Sequence, residues 1–299
     1  MTRPRVGAAD GILLVDKPAG ITSHDVVARA RRALGTRRIG HHGTLDPFAT
    51  GLLVLLVGRS TRLATWIEGE PKVYRATIRF GAETTTDDVQ GDVVREAPLP
   101  APDDVRAAIP ALTGPLDQIP PAYSAKKVDG VRAYDAARRG EALELAPARV
   151  VVHEWTIERL TAEEADVVIT CGGGTYIRAL ARDLGRLVGS AAHLVALRRL
   201  AAGPLHLDAA TSWDDLTAGE GVVHPPLVAM PGMPVQRLDA AGIRAVGMGQ
   251  AIPALVAGSR AALVGPDGDL LAMAERAGDR WRPRVVLSAA AQPDEPGDA

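Results

Sequence analysis

The stretch from Gly40 to Gly58, GHHGTLDPFATGLLVLLVG, constrains the fold most, because it joins a polar approach to a strongly apolar exit. Its last part, LLVLLVG, has the length and the leucine and valine content of a buried β-strand. Asp46 therefore lies just before a core element. An aspartate at such a position suits four roles, which are a turn residue, a metal ligand, a phosphate acceptor and a nucleophile.

The other segments predict strands and helices that alternate without a regular period. GILLVDKPAGITSHDVVARARRALG predicts a strand, a turn and a helix that is capped near Ser23 and ends at Gly35. In KVYRATIRFG, apolar and polar residues alternate as in a half-buried strand, with Tyr74 on the apolar face. This mixture favours an α+β domain over a doubly wound sheet. Further elements are predicted as a polar loop at Ala82–Val94, a helix at Pro102–Leu112, a helix after DQIPPAYSAKKVDG, strands at Arg149–Leu160 and Asp166–Cys171, and a helix after the glycines of CGGGTYIRALARDLGRLVG.

The length of 299 residues favours one large domain followed by a smaller one. Prolines cluster in HPPLVAMPGMPV, which predicts a linker at residues 226–234 after a large domain at 1–225. Short apolar runs separated by Gly-Pro and Asp-Gly turns then predict a small β-barrel at 235–288. Residues 289–299 are acidic and contain prolines, so we predict a disordered tail there.

Charge is distributed unevenly along this chain, whose formal net charge is only −2. From Met1 to Phe80 there are 13 Lys and Arg against 6 Asp and Glu, and from Cys171 to Leu200 there are 5 against 1. Two basic segments on a nearly neutral protein are consistent with a basic face for a polyanion, although such arginines are also common on ordinary solvated surfaces.

Several classes of protein are disfavoured by what the sequence lacks. Cys171 is the single cysteine, so neither an internal disulfide nor a Cys-x-x-Cys zinc site is predicted. The start, MTRPRVGAADG, does not resemble a signal peptide, and no apolar run has the roughly 18 residues of a membrane span. We therefore expect a soluble protein of the reducing cytoplasm.

Phosphoryl transfer and metal binding are weak interpretations of these motifs. In phosphatases that use an Asp-initiated motif the aspartate follows a buried strand, whereas here the strand follows Asp46. The glycines of CGGGTYIRAL lack the Gly-Lys-Ser/Thr ending of a P-loop, and close backbone packing explains them more simply. His41 and His42 are adjacent but lack a further cluster of metal ligands in the sequence.

Several segments together resemble one family. GHHGTLDPFATGLL is similar to the signature that carries the catalytic aspartate in TruB-type tRNA pseudouridine synthases. LLVDKPAGITS, KVYRATIRFG, IPPAYSAKKVDGVRAYDAARRGE, GGGTYIRALARDLG and AHLVALRRLAAGP match further motifs in the same order. The resemblance runs from about Gly11 to Pro204, and the C-terminal segment resembles the PUA-like RNA-binding module of that family more weakly. It implies a mainly antiparallel sheet with flanking helices and a small C-terminal β-barrel.

The resemblance also implies an activity and the residues that perform it. Asp46 would be the nucleophile that converts the T-loop uridine of tRNA, position 55, into pseudouridine, and Arg178 would be its partner. No cofactor and no metal are implied, because the reaction is an isomerisation. The residues that would line the uridine pocket are His41, Tyr74, Tyr176 and Leu197.

The expected partner is tRNA, bound through its T-arm and, by the PUA-like domain, its acceptor stem. We expect a monomer that needs no protein partner and no membrane. The alternative is a catalytically silent RNA-binding or RNA-folding module, which would not need both Asp46 and Arg178. The candidates for phosphate contacts are Arg29, Arg31, Arg32, Arg37, Arg38, Arg182, Arg198 and Arg199.

Overall fold

The computed structural model describes residues 10–124, 127–128, 131–132, 139 and 145–287. The α-helices of this part of the chain are α1 Ser23–Leu34, α2 Pro102–Ala108, α3 Ile177–Leu187, α4 Trp213–Ala218 and α5 Ala240–Gly247. The strands are β1 Gly11–Lys17, β2 Ile39–His42, β3 Thr50–Val57, β4 Lys72–Phe80, β5 Ala82–Thr84, β6 Val93–Glu96, β7 Gly114–Gln118, β8 Lys127–Val128, β9 Val131–Arg132, β10 Ala148–Leu160, β11 Glu164–Cys171, β12 Ala192–Ala202, β13 Leu205–His206, β14 Val223–His224, β15 Val235–Arg237, β16 Ile252–Pro253, β17 Arg260–Val264, β18 Leu270–Ala277 and β19 Arg280–Val286.

One large sheet forms the frame of the molecule, with the strand order β14-β1-β3-β12-β4-β11-β10-β7. β2 adds to β3 and β13 adds to β12 outside this path. β12 runs parallel to β3, and the other neighbours in this sheet are antiparallel. The prediction of a mixed α+β domain with a mainly antiparallel sheet is confirmed.

The continuous apolar run of β3 reflects burial on both faces of the sheet. Leu53 and Leu55 belong to the core cluster that also contains Val26 of α1 and Leu180 of α3. Leu52 belongs to a second cluster on the other face, together with residues of the C-terminal sheet. A strand buried on both faces needs apolar residues at every position, so alternation is lost.

In β4 apolar and polar residues alternate, because only one face of this strand is buried. Tyr74, Ala76 and Ile78 lie in the first core cluster, whereas Arg75 and Arg79 on the other face are exposed. Arg79 pairs there with Glu164 of β11, with an Nη2–Oε1 distance of 2.8 Å. The predicted strand and its apolar face are confirmed, because one face of this part of the sheet meets solvent.

α1 begins and ends close to the predicted residues. Thr22 is the N-cap, and it forms a capping box with Asp25. Gly35 ends the helix in the left-handed region at φ 64°. The cap lies one residue before Ser23, because the Ser23 hydroxyl bonds instead to the backbone of Leu45.

The C-terminal part contains a five-stranded sheet with the order β15-β17-β18-β19-β16. Ala262 and Met273 of this sheet are fully buried in the same cluster as Ile12 and Leu52, so it packs on the large sheet. Within the predicted linker, Ala229 and Met230 are buried in that cluster as well. The predicted domain limits and the PUA-like identity stay predictions. The predicted tail and the helix after DQIPPAYSAKKVDG lie outside the described residues.

The predicted polar loop at Ala82–Val94 differs from the structure in two respects. β5 and β6 pair at its two ends, and its acidic residues turn inward. Glu83, Asp87 and Asp88 are all buried. Glu83 pairs with the nearby Arg95, but the other partners of these three residues are arginines of α3, about a hundred positions later in the chain. Local polarity therefore predicted an exposed loop where the structure has buried carboxylates in ion pairs.

Candidate functional site

A pocket of about 450 Å³ opens beside the loop that joins β2 to β3. The loop contributes Asp46 and the residues just before it, and the start of α3 faces it with Tyr176 and Arg178. β4 and β12 form the remaining walls. The other lining residues are Gly43, Thr44, Leu45, Lys72, Tyr74, Tyr123, Ser124, Gly174, Thr175, Ile177, Leu197 and Arg199.

Asp46 and Arg178 form a two-point ion pair in this pocket. Nε of Arg178 lies 2.9 Å from Oδ2 of Asp46, and Nη2 donates to Oδ1 at 3.3 Å. The arginine side chain is only 5% exposed, whereas the aspartate side chain is 36% exposed toward the cavity. The carboxylate therefore has one side held by the guanidinium and another side available to a ligand.

Burial sets the acidity of this carboxyl group. Desolvation by the pocket walls raises the pKa of Asp46 above its ordinary value. The Arg178 guanidinium acts against this rise, and the negative charge of Asp88 adds to it. Asp46 is thus a carboxylate whose ionised form is less stabilised by water than that of an exposed aspartate.

Arg178 is fixed in place by other groups besides Asp46. Its Nη1 donates to the Thr86 carbonyl at 2.8 Å, and its Nη2 donates to the Tyr123 carbonyl at 2.8 Å. Asp88 lies 3.4 Å from Nη1. A guanidinium held from several directions cannot swing away from Asp46, so the ion pair is preorganised.

The loop that carries Asp46 is held by buried polar side chains from other elements. The Ser23 hydroxyl donates to the Leu45 carbonyl at 3.0 Å and accepts from the Leu45 amide at 2.9 Å. The Lys17 ammonium donates to the Pro47 carbonyl at 3.2 Å. Burial lowers the pKa of Lys17 to about 8, so it is still mainly protonated at neutral pH. Both neighbours of Asp46 in the chain are therefore fixed.

The predicted pocket residues Tyr74, Tyr176 and Leu197 all line the cavity. Tyr74 is 7% exposed and belongs to the first core cluster, so its ring lies at the edge of the core, and burial raises the pKa of its phenol. Leu197 is 7% exposed on β12. Tyr176 precedes α3, and Gln118 holds its backbone through a donated and an accepted hydrogen bond at 3.1 and 2.8 Å.

His41 is not among the residues that line the pocket. It lies on β2, half-buried, with its ring centroid 6.0 Å from that of His24. Its Nδ1 is buried and has no hydrogen-bond partner in the described part of the chain. Burial and the neighbouring histidine lower its pKa, which favours a neutral ring.

The structure separates the arginines that were predicted to contact phosphates into two groups. Arg182 is buried and pairs with Asp87 at 2.9 Å, so the prediction is wrong for this residue. Arg199 is 1% exposed and bonds to backbone carbonyls, and Arg198 forms an ion pair with Asp16 at 2.6 Å. Arg29 is half-buried and donates to the Thr217 carbonyl. The exposed candidates are Arg31, Arg32, Arg37 and Arg38.

The sequence did not single out Lys17, Ser23, Lys72 or Ser124 as parts of the site. Each lies in a segment that carried the family resemblance. Only the folded chain shows that Lys17 is fully buried under the Asp46 loop, because nothing in the local pattern distinguishes it from a surface lysine at the end of a strand. Arg199 was predicted as a candidate for phosphate contacts, not as part of the pocket wall.

Clusters of metal-binding side chains and long apolar helices are both missing from the described residues. No group of three or more His, Cys, Asp or Glu side chains among them is arranged to hold a metal ion. No helix in the same ranges has both the length and the apolar composition needed to cross a membrane.

Family models match most of the region that builds the pocket. A model described as TruB family pseudouridylate synthase (N terminal domain) matches residues 31–177. A second one, described as tRNA pseudouridylate synthase B C-terminal domain, matches residues 178–221. The fold, its pocket and these matches place the chain in the class of pseudouridylate synthases.

Named relatives are similar in sequence to this chain over nearly its whole length. A protein of Thermobifida fusca (strain YX) named tRNA pseudouridine synthase B is 46% identical over 290 residues, which cover 94% of this chain and 99% of the relative. A protein of the same name from Arthrobacter sp. (strain FB24) is 44% identical over 93% of this chain and 96% of the relative. The chain belongs to the TruB family.

Solved structures agree on the fold. The chain is similar to one described as a Cbf5-Nop10-Gar1 complex, with a TM-score of 0.68 and 21% identity, over 95% of this chain and 87% of that one. It is equally similar, at a TM-score of 0.68 and 19% identity, to a chain of an H/ACA RNP bound to a substrate RNA containing 2′-deoxyuridine, over 94% of this chain and 86% of that one. At such identities the likeness concerns the fold alone.

Proposed function

We propose that this protein isomerises the T-loop uridine of tRNA, position 55, to pseudouridine, with Asp46 as the nucleophile. The observation that carries the proposal is the Asp46–Arg178 ion pair on the wall of a 450 Å³ cavity. Membership of the TruB family and relatives named tRNA pseudouridine synthase B support the substrate and the reaction.

The position of the carboxylate requires the target nucleotide to leave its stack. Asp46 lines a cavity, and we infer that the nucleotide is flipped out of its stack to bring C1′ to the carboxylate, at a cost of about a few kcal/mol. An aromatic platform offsets part of that cost, since stacking is worth roughly 1–3 kcal/mol per base. Tyr74, with its ring at the pocket wall, is the residue for this role, and Leu197 completes the apolar wall.

The reaction needs a nucleophile, a held base and a proton acceptor. The bond between N1 and C1′ breaks, the uracil turns while it stays bound, and a bond forms between C5 and C1′. C5 then loses its proton and N1 gains one, so no atom is added or removed and no cofactor is required. Asp46 either attacks C1′ or promotes elimination to a glycal. We assign the phenol of Tyr176 to proton transfer.

Arg178 gives Asp46 the charge that this chemistry needs. Burial favours the protonated carboxyl group, and the guanidinium at 2.9 Å favours the carboxylate. Because Arg178 is held by the carbonyls of Thr86 and Tyr123, it keeps this distance while the substrate binds. Preorganised charge of this kind stabilises the transition state without reorganisation during the reaction.

The remaining surface is suited to an RNA partner. Arg31, Arg32, Arg37 and Arg38 are exposed near the loop that leads into β2, and we assign them to phosphates of the T-arm. The C-terminal sheet at 235–287, as a PUA-like domain, extends the contact to the acceptor stem. We assign His41 to a contact with the RNA beside the position that the flipped nucleotide has left. We propose that the protein acts as a cytoplasmic monomer.

Direct mapping of pseudouridine tests this function. An unmodified tRNA transcript incubated with the protein should acquire pseudouridine at position 55 and at no other uridine. A transcript with cytidine at that position should stay unmodified, which controls for reaction at other sites. Absence of product, or product confined to other positions, would contradict the proposal.

A further inference from the structure

Arg199 is a buried cation in the pocket wall that the proposed reaction does not yet use. It lies on β12, two residues beyond Leu197, and is 1% exposed. In the described part of the chain it forms no ion pair with a carboxylate, unlike Arg178, Arg182 and Arg198. A buried charge without a counter-ion is costly, so this guanidinium requires an explanation from its neutral partners.

Arg199 donates hydrogen bonds to backbone carbonyls on both sides of the loop that carries Asp46. Its Nη2 donates to the Gly43 carbonyl at 2.9 Å, and its Nε donates to the Leu52 carbonyl at 2.6 Å. Gly43 lies three residues before Asp46 and Leu52 lies six residues after it. One rigid planar group therefore spans both ends of the loop.

The same guanidinium also reaches the proposed stacking residue. Burial raises the pKa of the Tyr74 phenol, and the positive charge of Arg199 acts against this rise. The two residues are direct neighbours across β4 and β12, where Arg199 is paired with Tyr74. Arg199 thus connects the loop of the nucleophile to the ring against which the base would stack.

We propose that Arg199 is a positioning residue that fixes the distance between Asp46 and the Tyr74 ring. This inference rests on the proposed function, because it assigns the two groups to nucleophile and base platform. The fixed fork of an arginine suits two divergent carbonyl acceptors, whereas a lysine offers a single ammonium. A displacement of about 1 Å at the reacting atoms can cost about 100-fold in rate.

The backbone around Arg199 is shaped to accept it. Gly43 has a φ of 80°, and a Cβ there would lie 3.3 Å from Nη1 of Arg199. Gly51, at a φ of 95°, lets β3 approach β12 so closely that a Cβ would lie 2.3 Å from the Arg199 carbonyl oxygen. Gly43 of the loop thus leaves room for the Arg199 guanidinium, and Gly51 of β3 leaves room for the Arg199 backbone.

The test compares Arg199→Lys and Arg199→Met with wild type on a T-loop stem-loop, with enzyme in excess so that the chemical step is measured. We expect the rate to fall about 10-fold for Lys and about 100-fold for Met, while RNA affinity changes by less than about threefold. Arg79→Met is the matched control, since Arg79 lies on the solvent face of β4 and pairs with Glu164, and it should keep a rate near wild type.

Coupling to Tyr74 distinguishes positioning from general stability. When Arg199→Lys is added to the Tyr74→Phe variant, it should slow the reaction by a smaller factor than it does in wild type. The reason is that the effects of two residues that act through one another are not additive. A folded Arg199→Lys variant with the wild-type rate would overturn the inference. So would an effect of Arg199→Lys on the rate that is the same with and without Tyr74→Phe. If Arg199→Met does not fold, the Arg199→Lys variant decides. A wild-type protein that makes no pseudouridine would instead refute the proposed function.

Discussion

At the scale of single residues, the central feature is a carboxylate with opposing influences on its charge. Desolvation raises the pKa of Asp46, Arg178 acts against this rise and Asp88 adds to it. A carboxylate in an apolar pocket is a stronger nucleophile than a hydrated one but is easier to protonate. In the proposed mechanism, the balance between these neighbours sets the pH at which the enzyme becomes active.

This balance predicts the direction of a pH effect for Asp88→Asn. The proposed mechanism needs ionised Asp46, so the rate should fall as the pH falls through the raised pKa of that group. Removal of the Asp88 charge lowers this pKa, and the acid limb of the pH–rate profile should therefore move to lower pH. The asparagine can still accept from the Thr86 hydroxyl and the Gln90 amide through Oδ1.

Asp16→Asn is the control for this profile. Asp16 pairs with Arg198 outside the pocket, so the acid limb should stay in place. An unchanged profile for Asp88→Asn, or a shift to higher pH, would show that Asp46 is not the group that titrates.

At the scale of elements, Gly51 explains how β3 and β12 can run in parallel at close distance. Gly51→Ala should cost about 1–3 kcal/mol in unfolding free energy from backbone strain alone, because φ is 95° and the new Cβ would overlap the Arg199 carbonyl oxygen. Urea unfolding measures this loss.

The matched control is Gly232→Ala. A Cβ at Gly232 would meet no atom within 4 Å, and the φ of this residue lies outside the left-handed region. The stability of this variant should therefore stay within about 0.5 kcal/mol of wild type. Equal stability of the two alanine variants would refute the close approach of the two strands.

The strands were more predictable than the pairing of charged residues. β3 and β4 follow from apolar content and alternation, since both patterns report burial directly. The excess of arginine from Cys171 to Leu200 suggested a basic surface. Arg182 is nevertheless buried, because its partner Asp87 comes from a loop 95 positions earlier. Such a pairing depends on tertiary structure and leaves no local signal.

The candidate site was predictable only in part. Asp46, Arg178, Tyr74, Tyr176 and Leu197 were expected together from the resemblance, and the structure brings them into one pocket. Their roles stay predictions. The supporting contacts of Lys17, Ser23 and Arg199 were not foreseen, because each is a long-range bond from a buried side chain to a backbone carbonyl.

At the scale of the whole molecule, the large sheet and the C-terminal sheet share one core cluster. Met273 of β18 is fully buried with Ile12 and Leu52, and the Arg260 guanidinium lies 4.8 Å from the ring centroid of Trp66. We therefore predict that the two parts unfold in a single transition, and that Met273→Ala lowers the stability of the whole by about 2–5 kcal/mol.

Calorimetry with Met248→Ala as control tests this coupling. Met248 is 67% exposed, so its replacement should change stability by less than about 0.5 kcal/mol. Two separate transitions, with only one of them shifted by Met273→Ala, would show that the C-terminal sheet is stable independently of the large one.

The central claim is that Asp46 performs the chemistry, and one variant tests it most directly. Asp46→Asn keeps the size of the side chain and an acceptor for Arg178, but it removes the nucleophile. With enzyme in excess over a T-loop stem-loop, this variant should form no pseudouridine, while its melting temperature and its affinity for the RNA stay close to those of wild type. Pseudouridine formation near the wild-type rate would contradict the assignment of Asp46 as nucleophile.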